Sequence, residues 1–186
     1  MATGLALLPL LFALAESPNG RHAEEGHANV VGLRPGYALN LNRPRTSMAA
    51  GEEAPSSDNL GGFVLSYERV LYREWLALEL CKPFYFGKDR FDSPFEVSLR
   101  FQRRWGRVEP FLTAGLTWNI RVFEKEREEI EGKKNVLSFG ITGATGVDVW
   151  LTSRWALDGT FGYTWVALGA VVQHELALTI GPLFAF

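Results

Sequence analysis

The sequence predicts an all-β protein, an eight-stranded antiparallel up-and-down transmembrane β-barrel with a meander topology, preceded by a cleavable signal peptide. Three observations lead to this prediction. Apolar residues recur at every second position over long stretches, short and long connections alternate between the stretches, and aromatic residues gather near the stretch ends. Because successive side chains of a strand point to opposite faces, each such stretch has one apolar face and one polar face.

Composition restricts the class of protein before any motif is considered. The chain has 186 residues, of which 47% are hydrophobic and 22% charged, which is typical of one folded domain. The net charge of -2 gives no excess of Lys and Arg, so no nucleic-acid partner is expected. Cys81 is the single cysteine and can form no intramolecular disulfide.

The N-terminus has the pattern of an export signal. An apolar run over residues 5–14 ends in Ala13-Leu14-Ala15, an A-x-A cleavage pattern that polar residues follow. A buried N-terminal helix is the alternative, and Pro9 disfavours it because proline interrupts helices. The predicted segments are a signal peptide, residues 1–15, a periplasmic N-terminal tail, residues 16–28, and the barrel, residues 29–186.

Alternation of apolar and polar residues predicts the strands. In "EPFLTAGLTWNIRV", residues 109–122, the even positions are apolar and the odd ones polar or small, and only Phe111 breaks the pattern. No helical period accompanies these runs, so the strands follow one another as a meander. The predicted strands are residues 30–41, 62–72, 75–86, 95–105, 109–122, 136–151, 157–165 and 175–186.

The connections and the aromatic residues favour a barrel in a bilayer. Short connections are predicted near residues 73–74, 106–107 and 153–154, and longer polar ones at 42–61, 87–94, 123–135 and 166–172. Short turns at one rim and long loops at the other are typical of transmembrane barrels, as are aromatic belts at both interfaces. A soluble sandwich has shorter strands, and a lipocalin-type barrel turns its apolar set inward.

Three segments carry a resemblance to a known family: "VEPFLTAGLTW", "GATGVDVWLTSRWALDGTFGYTW" and the terminal "ALTIGPLFAF". Residues 30–186 resemble the small eight-stranded outer-membrane barrels of Gram-negative bacteria, the OmpA- and OmpX-like family. The resemblance implies location in the cell outer membrane, contacts with outer-membrane lipids and lipopolysaccharide, and a monomeric barrel. It also implies that Phe184 and Phe186 form an assembly signal for the barrel-assembly machinery. The alternative is a chain that simply ends in a strand.

The same alternation predicts the contents of the lumen. Eight strands leave a lumen that side chains just fill, so a wide pore is not expected. Because buried charges persist when they are paired, we expect a structural ionic network, with a proton or ion path as the alternative. The predicted interior ionic network consists of Arg34, Glu68, Glu79, Glu96, Arg100, Arg104, Glu109, Arg121, Asp148, Asp158 and Glu175.

Three basic residues have the opposite parity and are predicted to face outward. Arg69 and Arg103 lie close to short turns, from where an arginine can reach lipid headgroups. Lys82, next to Pro83, is harder to place on a lipid-facing wall, and the pair predicts a bulge.

We expect a non-enzymatic protein with a structural or surface-interaction role, in envelope integrity or in adhesion-type contacts through extracellular loops. A narrow channel for small or apolar solutes and a lipid-modifying enzyme are the alternatives. Neighbouring strand residues such as His174 and Glu175 face opposite sides and form no dyad, and the His-x-Ser-Asn motif of lipid A deacylases is absent. The charged loop "EKEREEIEGKKN" lacks calcium spacing. No catalytic residue, cofactor or metal site is predicted.

Overall fold

The computed structural model describes residues 29–41, 59–72, 75–88, 90–123, 135–168 and 171–186. They form a closed barrel in which each strand pairs with the next and β8 pairs with β1, so the predicted eight-stranded meander is confirmed. In these ranges no helix is long and apolar enough to cross a membrane. The predicted signal peptide and tail, residues 1–28, lie outside the described residues. The strands are β1 Asn29–Asn40, β2 Leu60–Tyr72, β3 Leu76–Phe86, β4 Arg90–Gln102, β5 Val108–Phe123, β6 Asn135–Trp150, β7 Trp155–Leu168 and β8 Val171–Ala185.

The first and last strands close the barrel. Their antiparallel ladder runs from the Val30–Ala185 pair to the Asn40–Glu175 pair. Beyond it, the backbone N–H of Phe186 donates to the carbonyl oxygen of Asn29 at 2.9 Å. Closure gives each strand two hydrogen-bonded neighbours, which a sheet in lipid requires because unpaired backbone groups there cost several kcal/mol each.

The two ends of the barrel differ in their connections. The β2–β3, β4–β5 and β6–β7 connections are short and lie at the end that also holds Asn29 and Phe186; we call this end the turn rim. The opposite end is the loop rim. There the β1–β2 and β5–β6 connections are long, and residues 42–58 and 124–134 lie outside the described part of the chain.

Two connections that were predicted to be long loops are short. Strand β3 ends at Phe86 and β4 already begins at Arg90, so residues 87–94 do not form a long loop. Strands β7 and β8 extend over most of residues 166–172. The first prediction was wrong because Arg90 and Asp92 were assigned to a loop, whereas they belong to a strand whose polar face lines the lumen. The second was wrong because residues 166–172, "VALGAVV", are apolar or small, and most of them continue β7 and β8.

The apolar residues cover the outer wall. Large apolar side chains that are at least one-third exposed occur on every strand. Mid-strand examples lie on seven of the eight strands: Leu33, Leu65, Leu99, Leu116, Ile141, Phe161 and Leu178. Aromatic pairs lie nearer the rims, such as Trp155 with Phe184 at 4.9 Å and Phe86 with Phe91 at 5.1 Å between ring centroids. This distribution fits a barrel with lipid around its middle.

Glycine is required where strands approach most closely. A Cβ atom on Gly62 would lie 1.9 Å from the carbonyl oxygen of Phe84, and one on Gly115 would lie 2.2 Å from that of Val97. Neither position has room for a side chain. Gly106 adopts φ of 61° in the β4–β5 turn, a left-handed conformation that L-residues rarely adopt.

The ladder between β3 and β4 is interrupted near two prolines. Pairing is present at Cys81–Glu96 and resumes at Tyr85–Asp92 in the same register, which places Pro83 opposite Pro94 in the gap. The shared register shows that no residue is inserted between β3 and β4, so the bulge predicted at Lys82 and Pro83 is absent from this pair of strands. Proline has no N–H to donate, which explains the missing pairs.

Lys82 lies on the outer wall beside this gap. Its ammonium donates to the carbonyl oxygen of Ser93 at 2.9 Å and lies 5.7 Å from the centre of the Phe84 ring. An outer groove lined by Leu65, Leu80 and Phe95 runs along the same part of the wall. The lysine therefore satisfies a backbone oxygen of β4 with its side chain.

Candidate functional site

Charged side chains concentrate in the barrel lumen. Every acidic residue in the described part of the chain lies on the lumen side of its strand, and most are buried. Arg34, Arg100 and Arg121 are buried there as well. Because neighbouring strands contribute alternate residues to the same narrow space, these charges come within reach of one another and form two clusters.

The lower cluster lies toward the turn rim and is centred on Arg100. The Arg100 guanidinium lies 3.4 Å from the Glu68 carboxylate and 3.9 Å from that of Glu79, and it forms a further ion pair with Asp148. Its Nε also donates to Gln102 at 2.5 Å. One cation thus links acids from β2, β3 and β6.

Arg34 extends the lower cluster to β7. Its guanidinium lies 3.1 Å from the Glu79 carboxylate and 3.4 Å from that of Asp158. It also donates to the Thr160 hydroxyl at 3.2 Å and to the Cys81 sulfur at 3.2 Å. Glu79 is therefore shared between Arg34 and Arg100, and the cluster connects strands on opposite sides of the lumen.

The upper cluster lies toward the loop rim and is centred on Arg121. The Arg121 guanidinium lies 2.8 Å from the Asp92 carboxylate and 2.5 Å from that of Glu175, and it donates to the Gln173 side chain. Arg90 lies 3.3 Å from Asp92 and 3.4 Å from Glu175. Two cations and two carboxylates from β4, β5 and β8 thus fill the lumen below the loops.

Aromatic rings support the lower cluster on its turn-rim side. The Arg100 guanidinium carbon lies 3.6 Å from the centre of the Phe111 ring, and that of Arg104 lies 4.5 Å from the Trp150 ring. Trp150 donates through its indole N–H to Glu109 at 3.2 Å. Phe111, the one residue that breaks the alternation of β5, faces the lumen by its position in the strand, and its ring there packs against the Arg100 guanidinium.

One side of the lumen differs from the two clusters. Ala38, Leu60, Val64, Cys81 and Tyr85 form a buried apolar cluster on the β1–β3 side of the lumen, and we call it the apolar patch. Beside it, Glu96 forms no ion pair with any residue that the structure describes, although it lies on the same face of β4 as Arg100.

The predicted interior residues fall into three groups. Eight of the predicted residues belong to the two clusters: Arg34, Glu68, Glu79, Arg100, Asp148 and Asp158 to the lower cluster, and Arg121 and Glu175 to the upper. Glu109 pairs with an indole, and Glu96 lies beside the apolar patch. Arg104 lies beyond the end of β4, where its Nε donates to the Gly106 carbonyl oxygen at 3.1 Å.

Sequence reasoning missed Arg90, Asp92, Gln102 and Gln173. Arg90 and Asp92 were assigned to a loop, although their alternation with the apolar Phe91 could have placed them on a strand. Gln102 and Gln173 are uncharged and were not considered as members of an ionic network. Gln102 donates to Glu68 at 2.8 Å and so joins the lower cluster.

The remaining candidates from the sequence lie on the outer wall. The phenol oxygen of Tyr163 lies 2.5 Å from Nδ1 of His174, and the adjacent Glu175 points into the lumen, so this histidine and this acid do not meet.

In the described residues no group of three or more His, Cys, Asp or Glu side chains is arranged to hold a metal ion. The rings of Phe184 and Phe186 stack 6.4 Å apart at the turn rim.

Solved structures share this architecture. No protein-family model and no curated protein matches the sequence. Neisserial surface protein A aligns with a TM-score of 0.65 and 17% identity over 87% of this chain and 100% of its own. The N-terminal barrel domain of OprF from Pseudomonas aeruginosa aligns with a TM-score of 0.56 and 10% identity, over 86% of this chain and 100% of that domain.

The attachment invasion locus protein Ail of Yersinia pestis also has this fold. It aligns with a TM-score of 0.51 and 14% identity, over 84% of this chain and 99% of its own. The chain therefore has the fold of the eight-stranded outer-membrane β-barrels, and the resemblance seen in the sequence is confirmed at the level of fold.

The lower cluster leads to a prediction about stability. Replacing Arg100 by Gln leaves the carboxylates of Glu68 and Asp148 without their shared cation, and we expect a loss of about 3–5 kcal/mol in the free energy of unfolding. Adding Asp148→Asn should recover part of that loss, because it removes one uncompensated charge. Guanidinium unfolding of detergent-refolded protein measures both.

Arg107→Gln is the matched control, since Arg107 is exposed in the β4–β5 turn. We expect its effect to stay within about 0.5 kcal/mol. Equal losses for the Arg100 and Arg107 variants would contradict a stabilising role for the lower cluster.

Proposed function

We propose that this protein is a non-enzymatic β-barrel of the bacterial outer membrane that displays its long loops at the cell surface, in envelope integrity or in adhesion-type contacts. The observation that carries the proposal is the lumen, which ion-paired side chains fill at two levels. The function of such a barrel must then reside on its surfaces.

The two clusters obstruct passage through the barrel. Arg100 and Arg121 are each almost completely buried, and each bridges acids from other strands across the lumen. Opening a path for solutes would require these pairs to separate, and breaking a buried pair costs about 3–5 kcal/mol. A stable general pore is therefore not expected.

The loop rim supplies the surfaces for contact. The two long connections, residues 42–58 and 124–134, both leave this rim, and loops of this kind often carry binding function on a rigid scaffold. The first is rich in Pro, Ser and Ala and the second is dense in both charge signs. Ail, whose name refers to attachment and invasion, shares the barrel that would support such loops.

Residues that could support catalysis do not converge in the described residues. His174 contacts Tyr163 on the outer wall, whereas the described carboxylates lie in the lumen, where arginines bind most of them. General acid–base chemistry needs donor and acceptor groups near one site that a substrate can reach. We therefore propose a role without catalysis and without a cofactor.

A narrow channel for small or apolar solutes is the second candidate. The apolar patch favours it, because Leu60, Val64 and Tyr85 give the upper lumen an apolar side. Glu96, which lacks an ion pair among the described residues, lies between the two clusters. A solute would still have to pass both Arg121 and Arg100.

A loop exchange tests the surface role. Residues 43–57 and 124–134 are each replaced by a two-residue turn, and a control carries Gly-Ser loops of the native lengths. We expect both variants to fold into heat-modifiable barrels, since these segments lie outside the strands, and both to fail to restore adhesion or detergent resistance to a deletion strain. Full restoration by the short-loop variant would contradict the proposed role of the loops.

Conductance measurements distinguish a non-conducting surface protein from a narrow channel. Purified protein in planar bilayers should show rare, small or no conductance steps, because the two clusters occupy the lumen. A double variant, Arg100→Ala with Arg121→Ala, opens both clusters and should show more frequent steps than wild type. Large and persistent wild-type channels would favour the second candidate.

The C-terminal residues are proposed to act as the assembly signal for the barrel-assembly machinery. Phe186 contributes little to the packed interior, since 55% of its surface is exposed, and its backbone N–H closes the sheet onto Asn29. Phe184 and Phe186 stack at the turn rim, where an assembly factor in the periplasm would meet them. A monomer in contact with outer-membrane lipids and lipopolysaccharide completes the proposal.

A side-chain substitution tests the assembly signal. Phe186→Ala keeps the backbone hydrogen bond to Asn29, and Phe161→Ala removes an equally exposed lipid-facing ring from mid-barrel. Both should refold in detergent with similar small losses, below about 3 kcal/mol. In cells, only Phe186→Ala should lower the amount of heat-modifiable protein in the outer-membrane fraction. Equal yields, or wild type recovered in the soluble periplasm, would contradict the proposal.

A further inference from the structure

Charges on the outer wall are distributed differently from those in the lumen. In the described part of the chain the acidic residues point inward, so the outward-facing charged side chains are basic. Apart from Lys82 and Lys88, the exposed ones lie at or near the turn rim: Arg69, Arg103, Arg107 and Arg154. A rim with cations and no described counter-charge is complementary to an anionic layer.

Arg69 and Arg103 lie on either side of an aromatic surface. Trp75 contacts Tyr72 edge-on at 5.8 Å and stacks with Phe101 at 6.2 Å between ring centroids, and all three rings are exposed on the outer wall. The backbone N–H of Gln102 donates to the carbonyl oxygen of Trp75 at 2.9 Å, which holds the indole against the end of β4. The aromatic surface therefore has a defined position on the wall.

The strand register sets the spacing of the two arginines. Arg69 of β2 lies opposite Leu78 of β3, which lies opposite Leu99 of β4, and Arg103 follows β4 toward the rim. The two arginines thus belong to strands separated by one other strand, about 10 Å across the wall, and Arg103 lies four residues beyond the level of Arg69, about 13 Å along the strand direction. The aromatic surface lies between them on this diagonal. Both are exposed, and neither forms an ion pair with a described residue. Arg73 and Glu74 of the adjoining turn lie outside the described residues and cancel in formal charge.

We propose that Arg69, Arg103 and the surface of Tyr72, Trp75 and Phe101 form a binding site for the phosphate headgroup of an anionic phospholipid in the periplasmic leaflet. The proposal rests on the membrane placement argued above, in which short turns face the periplasm. Guanidinium groups bind phosphate through paired N–H donors, and aromatic rings of this belt lie at headgroup depth. Leu80 and Val97, the next outward-facing pair away from the turn rim, continue from the site into the apolar wall and would contact the acyl chains.

Two cations beside one aromatic surface favour anionic phospholipids over zwitterionic ones. A zwitterionic headgroup brings its own cation, whereas phosphatidylglycerol and cardiolipin carry uncompensated phosphates, and basic pockets on membrane proteins bind such headgroups. Lipopolysaccharide is also anionic but belongs to the opposite leaflet. The site therefore selects an anionic phospholipid on the side of the short turns.

Native mass spectrometry tests the site on protein refolded into nanodiscs of equal phosphatidylglycerol and phosphatidylethanolamine. Wild type should retain phosphatidylglycerol in preference, and Arg69→Gln with Arg103→Gln should lower that preference by about fivefold or more, since each arginine near a headgroup contributes severalfold in binding. Lys88→Gln with Arg107→Gln removes the same charge elsewhere and should leave the preference unchanged. Trp75→Ala, which keeps the charge, should lower retention as well.

The outcomes separate this site from general surface charge and from the membrane placement. Equal losses in the two double variants, or no phosphatidylglycerol preference in wild type, would overturn the site. In a second set of nanodiscs that also contain lipopolysaccharide, loss of lipopolysaccharide retention in the Arg69→Gln, Arg103→Gln variant would overturn the choice of leaflet. Wild type that refolds in detergent but does not enter bilayers would contradict the proposed function itself. The heat-modifiability of each sample shows separately whether the barrel is folded.

Discussion

Closure of the sheet between β1 and β8 is the constraint on which the rest of the structure depends. Once Val30 pairs with Ala185 and Phe186 donates to Asn29, each strand has two neighbours and the backbone is satisfied within the wall. Side chains of period two then have only two environments, the lumen and the outer wall. Charged residues whose side chains face the lumen are brought into one narrow space. There they are largely removed from water and must stabilise one another.

The lumen arginines neutralise the buried acids and link strands that are not neighbours. Arg34 of β1 contacts Asp158 of β7 and Glu79 of β3, and Arg121 of β5 contacts Glu175 of β8. Burial of ion pairs adds little net stability, because desolvation offsets the attraction. A shift in register between strands would separate these arginines from their acids. The filled lumen is the reason that we propose a function at the rims and on the wall.

The outer wall is apolar, in contrast to the charged lumen, and few polar atoms are tolerated there. Where Pro83 and Pro94 interrupt the ladder, Lys82 donates to the Ser93 carbonyl oxygen, so a cation on the lipid side has a backbone partner. Toward the turn rim, exposed arginines such as Arg69 need no such partner, because headgroups and water are within reach of a long side chain. The same residue type is thus internal and paired in one place and external and solvated in another.

The sequence by itself determined the strand-rich fold and the two faces of each strand, because alternation is local and can be read over ten or more residues. Only the tertiary structure decided which charges meet: Arg34 and Asp158 are 124 positions apart, and their contact exists because the barrel closes. Arg90 and Asp92 were assigned to a loop, although their alternation with Phe91 is typical of a strand. Their polarity is explained by partners on other strands, Arg121 of the neighbouring β5 for Asp92 and Glu175 of β8 for Arg90, and no local pattern identifies those partners.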